Sequence, residues 1–143
     1  MLQLVIGGAH QGKWAYVKTR LLHEKTHYLD GHDAELNLQW PEGAQSLVFN
    51  GLHHWLRRKL ALDEEVFPML EDLVELSRER DLIIITDDIS SGLVSTSPLD
   101  RRLREQAGLV NQYLAGEAQV VRRVVAGIPI ILKEEREVGD LDD

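Results

Sequence analysis

The chain has 143 residues, of which 43% are hydrophobic and 28% are charged, and its formal net charge is -8. A chain of this length and composition is typical of one globular domain, which buries enough surface to need neither a metal nor a disulfide. The acidic balance argues against a general nucleic-acid binder, and the lack of cysteine excludes disulfides, a thiol nucleophile and a cysteine zinc site.

The first half of the chain predicts strands that alternate with helices. Residues 2–6 are an apolar run that ends in Gly7 and Gly8, which is typical of a buried parallel strand entering a tight turn. The further elements expected here, in chain order, are a helix over 13–24, a strand over 26–29, a loop over 31–43, a strand over 46–49 and a helix over 52–60.

The second half continues this alternation. A helix is predicted to run toward Arg80, and it begins either with Asp63 as its N-cap or a few residues later, with Pro68 in its first turn. The remaining elements expected are a strand over 82–86, a loop over 90–97, a helix over 98–114 and two strands over 119–126 and 128–132, separated by Gly127. Residues 134–143 form an acidic tail that we predict to be flexible.

The order of these elements implies an α/β fold with a mostly parallel central sheet covered by helices. We predict a single domain over residues 1–133, followed by the acidic tail over 134–143. No stretch approaches the roughly 18 apolar residues of a membrane span, and the N-terminus lacks a basic segment followed by a long apolar run. We therefore expect a cytoplasmic protein with no membrane partner.

The segment GGAHQGK at residues 7–13 has the spacing of the phosphate-binding loop GxxxxGK[ST], between a predicted strand and a predicted helix. Its glycines allow backbone N–H groups to point at phosphate oxygens, and the helix N-terminus adds partial positive charge. Lys13 would place its ammonium near the outer phosphates, and it is the candidate catalytic residue. The predicted nucleotide-binding residues are Gly7, Gly8, Ala9, His10, Gln11, Gly12, Lys13 and Trp14.

The last position of the loop departs from the pattern, because Trp14 stands where Ser or Thr supplies a hydroxyl to magnesium. An indole does not ligate a hard cation, which requires oxygen. Asp87 and Asp88 follow the strand predicted over 82–86, as magnesium-binding carboxylates do in many P-loop proteins. They are the predicted Mg²⁺ ligands, with a capping or turn role as the alternative.

The C-terminal half carries an ordered set of segments with a specific resemblance. They are TDDISSGLV at 86–94, PLDRR at 98–102, the segment 104–115 that contains AGLVNQYLA, and VVAGIP at 124–129. Together with the loop at 7–13, they closely resemble the bifunctional adenosylcobinamide kinase / adenosylcobinamide-phosphate guanylyltransferase family of cobalamin biosynthesis.

This resemblance implies a three-layer P-loop NTPase fold of the RecA-like type. It implies binding of GTP or ATP with Mg²⁺, phosphorylation of adenosylcobinamide, and transfer of GMP from GTP through a covalent histidine intermediate. The implied partners are a nucleotide and a cobinamide-like corrinoid, and the family resemblance also suggests a homo-oligomer. Asn111 and Gln112 match an Asn-Gln pair of the family, so they are candidate pocket residues, with a structural hydrogen bond as the alternative.

The chain differs from this family at three chemical positions. Gln11 replaces the loop serine, Trp14 replaces the serine after the lysine, and Asn50 replaces the acid expected after the middle strand. The region 30–45 is shorter than the family's histidine-bearing segment, and no histidine aligns with the guanylylated one, although His32 is nearest in order. The sequence therefore predicts that the guanylyl-histidine step is absent.

Two interpretations of the function remain open from the sequence. The first is a shortened enzyme that phosphorylates a cobinamide-like alcohol. The second is a non-catalytic nucleotide- or phosphate-binding protein that acts as a regulatory or partner subunit. Outside the loop, His53 and His54 precede the basic run 57–59; we interpret this segment as a solvated helix face, with a phosphate-attracting patch as the alternative.

Overall fold

The computed structural model of this chain describes residues 1–89 and 97–135. Within these ranges, six strands and four helices form the fold. The strands are β1 (Leu2–Gly7), β2 (His27–Asp30), β3 (Ser46–Asn50), β4 (Asp81–Asp87), β5 (Val120–Val125) and β6 (Ile128–Glu134). The helices are α1 (Lys13–Arg20), α2 (Leu52–Ala61), α3 (Phe67–Leu76) and α4 (Pro98–Glu117).

The six strands form one sheet in the order β2-β3-β4-β1-β5-β6. The pairs from β2 to β5 are all parallel, and β6 alone runs antiparallel, against β5. With the phosphate-binding loop pattern between β1 and α1, this sheet confirms the predicted fold class. The chain has a three-layer α/β fold of the P-loop NTPase, RecA-like type with a mostly parallel sheet.

The two faces of the sheet bury alternate residues of each strand, because successive side chains of a strand point to opposite faces. Leu82 and Ile84 of β4 belong to a large core that also contains residues of α2, α3 and α4. Ile83 and Ile85 belong to a smaller core on the other face, which α1 covers with Val17. Since both faces are buried, β4 is apolar throughout its centre, as the sequence predicted.

Several predicted boundaries were wrong. Helix α1 ends at Arg20, not near Glu24. Asp63 is not an N-cap, because it adopts a positive φ of 54° and the helix begins only at Phe67, with Pro68 in its first turn. The later of the two starts considered is therefore correct, and it suits a proline, which has no N–H to donate.

The strands β5 and β6 form a hairpin at one edge of the sheet. Its turn residues Ala126 and Gly127 both have positive φ, as two-residue hairpin turns of type I′ require. Pro129 lies opposite Val124 on the edge strand, where a missing N–H costs no internal ladder bond. Glu134, the first residue of the predicted tail, still belongs to β6. Residues 90–96 of the loop predicted over 90–97 and residues 136–143 of the tail lie outside the described residues. The domain boundary stays a prediction.

A close backbone contact joins the ends of β2 and β3. The N–H of Gly31 donates to the carbonyl of Asn50 at 2.7 Å, and a Cβ on Gly31 would lie 1.9 Å from the carbonyl oxygen of Gly51. We expect Gly31→Ala to lower the free energy of unfolding by about 1–3 kcal/mol or more, since the obstacle is backbone. Urea denaturation measures this effect.

The control for this variant is Gly108→Ala in the middle of α4. A Cβ at Gly108 meets no atom within 4 Å, so alanine should raise stability by up to about 1 kcal/mol through its helix propensity. Equal unfolding midpoints for Gly31→Ala and the unchanged protein would contradict the prediction.

Candidate functional site

The carboxyl ends of the central parallel strands meet at one edge of the sheet, and a cavity of about 550 Å³ opens there. This is the edge at which open α/β sheets bind their ligands. The strand register brings Gly7 opposite Asp87, and Asn50 opposite Ile85. Residues 9–15 form one wall of the cavity, and the other wall consists of Tyr28, Asp30, His32, Asn50, Gly51, His53, His54, Ile85 and Asp87.

The loop over residues 7–13 is tightly wound and closely packed. His10 and Gly12 have positive φ values of 61° and 88°. Gly7 must lack a side chain, because a Cβ there would lie 2.6 Å from the carbonyl oxygen of Val124. Gln11 attaches the loop to the β5–β6 turn: its side-chain oxygen accepts from the N–H of Ala126 at 2.8 Å, and its carbonyl accepts from Gly127 at 2.7 Å.

Lys13 lies at the base of this loop and is nearly buried, with 8% of its surface exposed. Its ammonium donates to the carbonyl of Gly8 at 2.7 Å and pairs with the carboxylate of Asp87 at 2.5 Å. The loop lysine and the acid after β4, both predicted as functional, are thus brought into direct contact. Any phosphate on this loop would share the Lys13 ammonium with that carboxylate.

Asp87 is held on its other side by His53. The N–H of Asp87 donates to Nδ1 of His53 at 3.1 Å, which places the proton of the neutral imidazole on Nε2. That Nε2 lies 3.2 Å from Oδ2 of Asp87. Burial alone would raise the pKa of Asp87, but hydrogen bonds from His53 and Lys13 outweigh it and hold the pKa well below the ordinary value. Asp87 is therefore an anion at physiological pH.

Three imidazoles stack along the cavity wall. The ring centroids of His32 and His54 are 3.5 Å apart, and those of His53 and His54 are 3.9 Å apart. Burial, together with the neighbouring imidazoles His53 and His32, lowers the pKa of His54 from 6.5 to about 4. His54 is therefore neutral in the folded protein at neutral pH.

The depressed pKa of His54 predicts a loss of stability in mild acid. The unfolded chain takes up a proton near pH 6.5 and the folded protein only near pH 4, so stability falls as the pH falls through this window. In His54→Gln the free energy of unfolding should depend less steeply on pH between 6.5 and 4. His23→Gln, which changes an exposed histidine outside the cavity, is the control. Identical slopes for His54→Gln and the unchanged protein would refute the prediction.

An aromatic pair borders the loop on the side of β2. The ring centroids of Trp14 and Tyr28 are 5.0 Å apart with an interplanar angle of 58°. The side-chain amide of Asn50 donates to the hydroxyl of Tyr28 at 3.0 Å. Trp14 and Tyr28 therefore form an aromatic wall of the cavity, and Asn50 holds the Tyr28 hydroxyl.

The side chains near the loop do not fit a magnesium ion held in the usual way. Trp14 offers no oxygen, and both carboxylate oxygens of Asp87 are engaged by Lys13 and His53. Across residues 1–89 and 97–135, no group of three or more histidine, aspartate or glutamate side chains could hold a metal ion. The assignment of Mg²⁺ to Asp87 and Asp88 stays a prediction.

The other predicted site residues lie in different places. Asn111 and Gln112 lie in the middle of α4, and neither lines the cavity. His53 and His54, which we interpreted as a solvated helix face, are partly buried and line the cavity. Sequence reasoning also missed Tyr28 as a cavity residue. Asn50 also lines the cavity. Its position directly after a predicted strand could have indicated this, because the carboxyl ends of parallel strands meet at one edge of the sheet.

Comparisons with known proteins agree with this architecture. The sequence model of the family described as cobinamide kinase / cobinamide phosphate guanyltransferase matches residues 26–132. The loop at residues 7–13 lies before the matched segment.

No helix among the described residues has the length and apolar character to cross a membrane.

Two curated relatives are similar to parts of the chain. The bifunctional adenosylcobalamin biosynthesis protein CobP of Pseudomonas aeruginosa is 32% identical over 100 residues, which cover 66% of this chain and 57% of that protein. The bifunctional adenosylcobalamin biosynthesis protein CobU of Escherichia coli is 40% identical over 52 residues, which cover 36% of this chain and 29% of that protein. The matched segments thus span less than two thirds of the length of either relative.

Proposed function

The chain belongs to the cobinamide kinase / cobinamide phosphate guanyltransferase family, and from this premise we propose that it binds GTP or ATP through the phosphate loop at residues 7–13. The observation that carries the proposal is the Lys13 ammonium at the base of a glycine loop, facing a cavity of about 550 Å³. A cavity of this volume lies within the usual range for small-ligand sites. The N-terminus of α1 adds partial positive charge for the phosphates.

We further propose that the acceptor is a cobinamide-like corrinoid alcohol and that the reaction is phosphoryl transfer without a guanylyl-histidine step. The short connection between β2 and β3, from 31 to 45, supports the absence of that step. Of its residues, only His32 is a histidine, and its ring packs on His54. In this proposal Lys13 binds and orients the outer phosphates, and its ammonium supplies positive charge next to them.

The alternative function is a non-catalytic nucleotide- or phosphate-binding subunit. It is supported by Trp14 at the position of the magnesium-binding hydroxyl, and by the Asp87 carboxylate paired with Lys13. Phosphoryl transfer depends on positioning and on charge neutralisation, and both are weakened by these two features. Such a subunit would retain the phosphate cradle and act as a regulator or partner of a complete enzyme.

Calorimetry at neutral pH with GTP, ATP and pyrophosphate, each with and without Mg²⁺, tests nucleotide binding. Incubation with magnesium-GTP and adenosylcobinamide then separates the two functions by measuring GDP release against Lys13→Ala. Turnover above this control supports the kinase, whereas binding without turnover supports the subunit. Absence of binding for all three ligands would refute both proposals.

We also propose that the protein forms a homo-oligomer through the edge strand β6. Its apolar residues Ile128, Ile130, Ile131 and Leu132 are between 48% and 65% exposed. An exposed apolar edge strand offers unpaired backbone groups to a second chain. The prediction is that Ile130→Glu weakens association by tenfold or more, because burial of an isoleucine stabilises by roughly 1.5–3 kcal/mol.

Light scattering over a concentration series measures this association. Leu62→Glu is the control, since Leu62 is an exposed apolar residue after α2 and away from β6. If the unchanged protein stays monomeric at high micromolar concentration, the proposed oligomer is refuted. Equal effects of the two substitutions would refute the assignment to β6.

A further inference from the structure

The aromatic wall beside the loop consists of Trp14, the first residue after the loop lysine, and Tyr28, the second residue of β2. Trp14 packs partly against the smaller core on the α1 face of the sheet, which fixes the base of its side chain. Tyr28 is 46% exposed, and its hydroxyl is oriented by the amide of Asn50. The two rings therefore form a supported surface that faces the same cavity as the loop.

The chemistry around this wall separates into two halves. On the loop side, the cavity offers backbone N–H groups and the Lys13 ammonium, which suit phosphate oxygens. On the β2 side, it offers the faces of two aromatic rings, which suit a planar ring. A ligand that fills both halves carries a phosphate and a flat ring a short distance apart.

We propose that Trp14 and Tyr28 stack the planar heteroaromatic ring of a phosphate ester whose phosphate lies on the loop at 7–13, and that this ligand is held without a loop-bound divalent cation. The inference rests on the proposed phosphate binding by the loop and adds which residues hold the ring of the ligand and that the loop binds no metal ion. Trp14 occupies the position at which a loop hydroxyl would ligate magnesium, so a stacking surface replaces a metal ligand. The Lys13 ammonium and the start of α1 supply the positive charge that the phosphate requires.

The test compares GMP with ribose 5-phosphate, two esters that differ only by the base, with pyrophosphate as the ring-free reference. All titrations are repeated in EDTA. We expect the unchanged protein to bind GMP more tightly than ribose 5-phosphate by roughly five- to 150-fold, the range of base–aromatic stacking. EDTA should leave this ratio unchanged, because no metal ion takes part.

The variants separate stacking from a purely structural role. Trp14→Ala should bring the GMP to ribose 5-phosphate ratio close to one, while pyrophosphate affinity changes less than twofold. Trp14→Phe should retain most of the ratio, and Tyr28→Ala should lower it, so that the proposal stays testable if Trp14→Ala does not fold. Trp40→Phe is the control, since Trp40 lies outside this cavity.

Three results would overturn the inference while leaving phosphate binding intact. They are equal affinities of the unchanged protein for GMP and ribose 5-phosphate, loss of GMP binding in EDTA, and a Trp14→Ala variant that weakens all three ligands equally. Absence of any pyrophosphate binding would instead refute the proposed function of the loop, and the inference with it.

Discussion

Replacing Lys13 with methionine lowers the affinity for pyrophosphate and for GTP by about a hundredfold in our expectation. Methionine keeps roughly the length of the Lys13 side chain, which is nearly buried at the base of the loop, but removes its ammonium. Hydrogen bonds to charged groups contribute roughly 1.5–3 kcal/mol each, and phosphate loses at least one of them. Isothermal titration calorimetry measures the change in the dissociation constant.

Two measurements keep the Lys13→Met result specific to the loop. Lys18→Met changes an exposed lysine of the same helix, and its binding should stay within twofold of the unchanged protein. Lys13→Met also deprives Asp87 of its ammonium partner, so we expect the free energy of unfolding to fall by about 1–3 kcal/mol. A folded Lys13→Met protein with unchanged pyrophosphate affinity would rule out the loop as the phosphate site.

The sheet and the loop could be predicted because their signals are local. The apolar run at residues 82–86 identifies β4, and the turn pattern after residue 6 identifies the end of β1. Because the two strands are parallel, their carboxyl ends lie at the same edge of the sheet. The wrong N-cap assignment of Asp63 also has a local cause. An acid shortly before a helix resembles an N-cap, but Asp63 has a left-handed backbone conformation and belongs to the turn that follows α2. Propensity alone does not distinguish these two conformations.

The histidine stack could not be predicted, because it depends on a tertiary contact. His53 and His54 belong to the first turn of α2, and His32 is more than twenty positions earlier in the chain. What joins them is the approach of Gly31 to the carbonyl of Gly51, which brings the end of β2 against the start of α2. A glycine in a loop does not indicate which other backbone segment will approach it.

The contact between Lys13 and Asp87 leads to the second large prediction, in which Asp87→Asn tightens binding. The Asp87 carboxylate competes with phosphate for the ammonium, and hydrogen bonds from His53 and Lys13 keep it charged despite its partial burial. Two unit charges about 5 Å apart repel by roughly 3 kcal/mol at an effective dielectric constant near 20. Asparagine can still accept from Nε2 of His53, so we expect metal-free pyrophosphate to bind about tenfold or more tightly.

This variant also decides between two roles of Asp87. If the carboxylate held Mg²⁺, as the sequence predicted, Asp87→Asn would weaken magnesium-dependent nucleotide binding. If the carboxylate restrains Lys13, the same variant tightens binding, and the gain persists in EDTA. Asp81→Asn, at the exposed start of the same strand, controls for the loss of one negative charge. Because the two roles predict opposite signs, one titration series assigns Asp87 either to the metal or to the lysine.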